Sequence, residues 1–130
     1  LALYRSLGKA MSRGLLRSCH DCSDGGLGVA LAETAFSGGW GMTVDLKKVP
    51  AAKISRNDFL LFSESQSRFV VTVAADDRKD FERCLKGNAF AEIGIVEKDP
   101  QFRITGLNDT IVIDAGIFDL KESWQKTLRF

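Results

Sequence analysis

Two short polar segments hold the side chains of this chain that could do chemistry. The first is Cys19-His20-Asp21-Cys22-Ser23-Asp24-Gly25-Gly26. Polar residues just ahead of a helix with a glycine-rich first turn offer free backbone N–H groups and the positive end of a helix dipole. Both suit a phosphate or a carboxylate, and glycine lets a ligand come close to the backbone. The carboxylates of Asp21 and Asp24 point elsewhere, to a cation or a hydroxyl-rich ligand, or to helix capping. A structural reading stands beside these, with Ser23 or Asp24 as the N-cap and His20 as a hydrogen-bonded structural histidine. The spaced phosphate motifs G-x-G-x-x-G and G-x-x-x-x-G-K-[ST] are both absent. The second segment is Glu64-Ser65-Gln66-Ser67-Arg68. Its carboxylate, hydroxyls, amide and guanidinium suit hydrogen bonding to an amide- or ribose-bearing ligand. The plain alternative is a solvated loop with Arg68 paired to a neighbouring carboxylate.

His20 is the sole histidine, so imidazole acid–base chemistry within this chain has no other carrier. No Ser/His/Asp arrangement is legible, and nothing identifies an oxyanion hole. Cys19 and Cys22 form a lone C-x-x-C without a second ligand pair or a preceding thioredoxin-like strand. Neither metal nor redox chemistry is therefore assigned to them, no metal ligand is placed in the chain, and Cys84 is read as a core residue.

The elements that must position these segments follow from periodicity. Leu3, Leu7, Ala10, Met11, Leu15 and Leu16 recur at three- and four-residue steps, predicting an amphipathic helix that ends near Ser18. Leu27 to Phe36 reads as a second helix, stopped by Gly38 and Gly39. Strands are expected at Gly41–Leu46, at Phe69–Val73, and at three later sites: Ala91–Val96, Phe102–Thr105 and Thr110–Ile113. Asn108-Asp109 is expected to turn between the last two. Lys47 to Asn57 is a polar connection, and Phe59 to Phe62 a short apolar run. Asp76 or Asp77 should cap a helix whose face is Phe81, Cys84 and Leu85 and which Gly87 closes. Ile117, Leu120, Trp124 and Leu128 give a final helix, with Trp124 in the core. Strands and helices interspersed without long βαβ runs predict an α+β fold with a mixed sheet packed by helices.

The chain has 130 residues, which suits one domain spanning residues 1–130 with a core of its own. Its 18 basic residues nearly balance 17 acidic ones, so it lacks the charge footprint of a nucleic-acid binder. No apolar run approaches the ~20 residues of a membrane helix. Leu1 to Met11 carries Arg5 and Lys9 and does not read as a signal peptide. Three cysteines do not make a secreted disulfide framework. A soluble, cytoplasmic domain is expected, with neither nucleic acid nor membrane as partner. Because the chain opens on Leu1 within a helical stripe, it is expected to be a fragment of a longer protein.

The stretch Ser18 to Glu33, read with Phe62 to Val71 and with the closing Leu120-Lys-Glu-Ser-Trp124 to Leu128, resembles the C-terminal part of the phosphoribosylformylglycinamidine synthases, large synthetase subunit. The resemblance covers nearly all of the chain, and His-Asp-x-Ser-Asp-Gly-Gly-Leu is its most specific part. It implies the C-terminal domain of an aminoimidazole ribonucleotide synthetase-like fold. It also implies a ligase that converts formylglycinamide ribonucleotide, ATP and glutamine-derived ammonia to formylglycinamidine ribonucleotide, ADP and phosphate. ATP and Mg²⁺ would be cofactors held mainly by upstream domains. Partners would be those domains, a glutaminase subunit or domain and, in many bacteria, a small accessory subunit. Self-association through exposed apolar surface is a further expectation. The matching positions are His20, Asp21, Ser23, Asp24, Gly25 and Gly26 in the first loop and Glu64, Ser65 and Gln66 in the second, as a substrate or nucleotide site with no catalytic residue of its own. Two alternatives stay open: a non-catalytic domain that holds a nucleotide and a pseudo-dimer together, or a related small-molecule kinase or selenophosphate-forming enzyme.

Overall fold

The computed structural model describes residues 1–126, and Leu128 lies outside the described residues. In chain order the elements are α1 (Ala2–Ser12), β1 (Ser18–Asp21), α2 (Gly26–Gly38), β2 (Gly41–Asp45), α3 (Asn57–Phe62), β3 (Phe69–Thr72), α4 (Arg78–Leu85), β4 (Gly94–Glu97), β5 (Gln101–Thr105), β6 (Ile111–Gly116) and α5 (Ile117–Lys126). The strands form two sheets. β1 and β3 pair antiparallel, and the other four run in the order β4-β2-β5-β6. Only β2 and β5 are parallel, so the larger sheet is mixed and the fold is α+β, as the interspersed pattern predicts.

The core sits in two clusters. Leu27, Leu31 and Phe36 of α2 and Leu60 and Leu61 of α3 pack against Met42, Val44, Phe102 and Ile104 of the larger sheet. A smaller cluster joins Leu7 and Ala10 of α1 to Phe81, Cys84 and Leu85 of α4. Cys84 is thus a core residue, as its place on the apolar face of α4 predicts.

Five local expectations are corrected. The first helix ends at Ser12 rather than near Ser18, although its apolar spacing continues. Gly14, at φ +69°, donates to the Met11 carbonyl at 2.9 Å, and Leu15 N–H donates to the Ala10 carbonyl at 3.1 Å. That paired closure is a Schellman motif. It turns the chain while Leu15 stays buried beside Ala10. The freed residues Ser18–Asp21, expected to be a polar loop, become β1 by pairing with β3. The run Phe59–Phe62 is the end of a helix, too short for its period to show. Trp124 is 49% exposed, because only Ile117 and Leu120 of α5 reach the core; its indole lies 5.9 Å from the Phe36 ring at the margin. Asp77 does precede α4, but its carboxylate takes the Arg17 guanidinium at 3.3 Å and caps no helix amide.

Candidate functional site

β1 delivers His20 and Asp21 to the start of α2, and β3 begins just after the second polar segment. Because β1 and β3 are neighbours, with Asp21 opposite Phe69, the two segments meet at one end of the small sheet. Cys22 N–H donates to the Arg68 carbonyl at 2.9 Å and seals that end.

The two glycines make the meeting possible. Gly25 has φ +78° and Gly26 φ +70°, a region costly for residues with a Cβ. A Cβ on Gly26 would lie 2.8 Å from the Ser63 carbonyl oxygen and 2.9 Å from that of Leu61. The bare α-carbon therefore admits the last turn of α3, where the sequence reading expected close approach of a ligand. The amide at the helix start is also claimed within the chain. Gly25 N–H donates to Glu64 Oε1 at 3.0 Å, so the carboxylate suited to this N-terminus is the protein's own. Neither Ser23 nor Asp24 is the N-cap; Gly25 holds that place.

His20 spans from the strand to the helix. Its Nε2 lies 2.6 Å from Glu33 Oε2, and its Nδ1 lies 2.6 Å from the Asp21 carbonyl oxygen. The ring is half-buried between them. The Ser23 hydroxyl donates to the Asp21 carboxylate, and chiefly this bond, helped by a backbone N–H and by His20, holds the exposed Asp21 carboxyl below the usual range. Asp24, Ser65 and Gln66 are exposed, and among the described residues their side chains make no hydrogen bond within the chain. Arg68 folds back on its own segment, with Nη1 3.3 Å from the Ser63 carbonyl oxygen; it has no carboxylate partner among the described residues. The structure thus brings all nine sequence-selected positions to one edge, some bonded to each other and three free.

The sequence of this chain matches the family described as AIR synthase related protein, C-terminal domain, over residues 2–106. The chain belongs to that family. Phosphoribosylformylglycinamidine synthase subunit PurL of Lactobacillus acidophilus is 39% identical over 126 residues, covering 97% of this chain and 15% of the relative. The chain therefore spans about one-seventh of the length of that curated relative. The structure described as T. maritima PurL complexed with FGAR superposes with a TM-score of 0.80 at 23% identity, over 92% of this chain and 20% of that one. A hydrogenase maturation protein, HypE, gives a TM-score of 0.71 at 17% identity, over 85% and 41% respectively. These likenesses establish the AIR synthase related fold.

In this AIR synthase related domain the two cysteines of the C-x-x-C lie in different surroundings. Cys19 is exposed on β1 while Cys22 is buried. Burial, seconded by the Asp21 charge, pushes the Cys19 thiol up; burial also pushes up that of Cys22, although Arg68 opposes it. Among the described residues no three His, Cys, Asp or Glu side chains converge as metal ligands. No helix among them is long and apolar enough to cross a membrane. Glu33 is the contact residue that loop reading missed. Its only signal was a carboxylate on an otherwise apolar helix, with no spacing to tie it to His20.

Proposed function

We propose that this chain works as the C-terminal domain of a phosphoribosylformylglycinamidine synthase large subunit. The enzyme would join glutamine-derived ammonia to formylglycinamide ribonucleotide at the expense of ATP, releasing formylglycinamidine ribonucleotide, ADP and phosphate. The observation that carries this reading is the 39% identity to a PurL subunit, which runs through 97% of the chain and so includes both loops. The chain is one domain of a larger cytoplasmic synthetase. A glutaminase subunit and a small accessory subunit are its partners, in keeping with the relative described as PurLQS from Thermotoga maritima.

Within that enzyme the domain supplies one wall of a cleft. Asp24, Ser65 and Gln66, exposed and free of partners within the described chain, are the groups that face the ribonucleotide or nucleotide. His20, Asp21, Ser23, Gly25, Gly26 and Glu64 hold the wall in shape. Asp21 and Asp24 are oxygen donors of the kind Mg²⁺ takes, yet two carboxylates alone do not make such a site. Mg²⁺ and ATP are held mainly by other domains of the synthetase.

One observation favours a second reading, a non-catalytic domain around a structural nucleotide. The Glu64 carboxylate is spent on Gly25 and so is turned toward its own chain. The test is ADP release by the synthetase that contains this domain, supplied with Mg-ATP, ammonium chloride and formylglycinamide ribonucleotide. Release that requires all three sustains the ligase. Release that ignores the ribonucleotide assigns the protein to a kinase-like relative.

A further inference from the structure

Glu33 lies on α2, outside both polar loops, and it is the one carboxylate in contact with His20 Nε2 among the described residues. We propose that Glu33 is the positioning residue of the two-loop wall, acting through His20 to fix the peptide that starts the first loop. The proposal rests on the reading that these loops face a ligand, and it names what holds them in place.

The geometry runs through a single peptide unit. The carbonyl of Asp21 and the N–H of Cys22 belong to one plane. His20 Nδ1 lies 2.6 Å from that carbonyl, and Cys22 N–H donates to the Arg68 carbonyl of the second loop at 2.9 Å. The plane is therefore held from both ends, by an imidazole on one side and by the other loop on the other. A peptide plane so held sets the direction in which residues 22–25 leave the strand, and hence where the Gly25 amide meets Glu64.

His20 can serve this way only if its own ring is fixed, and Glu33 fixes it. A backbone carbonyl and an ionised carboxylate both accept hydrogen bonds and cannot donate them. Each ring nitrogen thus faces an oxygen of the chain itself, so both are engaged within the domain. The His20–Glu33 contact is charge-assisted and joins strand to helix, and such bonds are shorter and stronger than neutral ones. The family-like histidine of this loop is by this geometry a clamp, and Glu33 is what closes it.

Amide hydrogen exchange tests this without any ligand. Glu33→Ala is expected to speed exchange at Cys22 and Gly25 about tenfold, while the Ile104 amide in β5 stays within about twofold of the parent. Glu33→Gln keeps an acceptor oxygen and is expected to stay within about threefold at both loop amides. His20→Ala combined with Glu33→Ala should exchange no faster than His20→Ala alone, because both act along one path. Unchanged loop exchange in Glu33→Ala overturns the proposal. Equal acceleration at Ile104 also overturns it, since Glu33 would then support the fold as a whole. Multiplying effects in the double variant would show that Glu33 does not act through His20. Failure of the synthetase to bind ribonucleotide would instead defeat the proposed function and leave the exchange result intact.

Discussion

The two sheets of this domain differ in the balance between apolar burial and hydrogen bonding that holds them. In the larger sheet, Val44, Phe102 and Ile104 are at most 1% exposed, and the strands are fixed by apolar burial against α2 and α3. In the smaller sheet, β1 alternates half-buried and exposed residues and buries none fully. β3 of this sheet sends Val70 into the main core and Phe69 and Val71 onto the second cluster, while β1 is tied by polar contacts: a Ser18–Thr72 hydroxyl pair at 2.6 Å, the His20–Glu33 contact and, just past its end, the Cys22–Arg68 backbone bond. Apolar burial contributes most of the stability but does not specify direction, whereas hydrogen bonds contribute about 0.5–1.5 kcal/mol each and do. A binding wall needs direction, and the one proposed for this domain sits on the small sheet.

Substitutions can break that contrast. The largest effect is expected in the large sheet: Ile104→Ala should cost about 2–5 kcal/mol in denaturant unfolding and leave the loop contacts of the folded fraction unaltered. Gly26→Ala comes next, at roughly 2 kcal/mol or more, because the new Cβ meets backbone at 2.8–2.9 Å on a left-handed residue. Unlike Ile104→Ala, it should also separate the two loops, read as loss of protection of the Gly25 amide. Glu64→Ala should weaken ribonucleotide binding by the synthetase about tenfold while costing the domain less than about 1 kcal/mol. Undiminished affinity with lowered stability would make Glu64 purely structural.

The smallest effect sharpens the contrast at one proton. The Asp21 carboxyl is held low chiefly by the Ser23 hydroxyl. A carboxyl depressed on folding stabilises the protein above its ordinary range, and that contribution is lost as pH falls through the folded value. Ser23→Ala removes the main cause, so Asp21 should titrate at a higher pH, nearer its ordinary value, and acid should remove less stability through this group. Carbon-13 NMR of the Asp21 carboxyl would read the change, and an unmoved midpoint would assign the depression to the backbone and His20.

The two sheets also differ in how far the sequence disclosed them. Val44, Phe102 and Ile104 sit in alternating or β-branched runs, and their strands were legible because burial writes itself into composition. Ser18–Asp21 carries no such signal, since its strand character comes from pairing with Phe69–Thr72 rather than from its own residues. The apolar stripe of α1 ran past its true end because a Schellman closure lets Leu15 continue the packing after the helix has stopped. At the site, the residue types were readable and their wiring was not. His20, Asp21 and Glu64 were picked out by motif, but the bonds to Glu33 and Gly25 join positions far apart in sequence. The double glycine was legible as a place of close approach, while the identity of what approaches, the end of α3, required the fold.

That bare α-carbon at Gly26 has a consequence for exchanging parts between relatives. The carbonyls of Leu61 and Ser63 rest where a side chain would otherwise stand, so the two strips of chain are cut to each other like a key and its ward. A cassette carrying the Leu61–Arg68 stretch without its glycine turn would present a foreign carbonyl path to this notch. The portable unit is the pair, the glycine turn together with the tail of α3, and recombination that splits them should yield chimaeras whose sheets form but whose loops no longer meet.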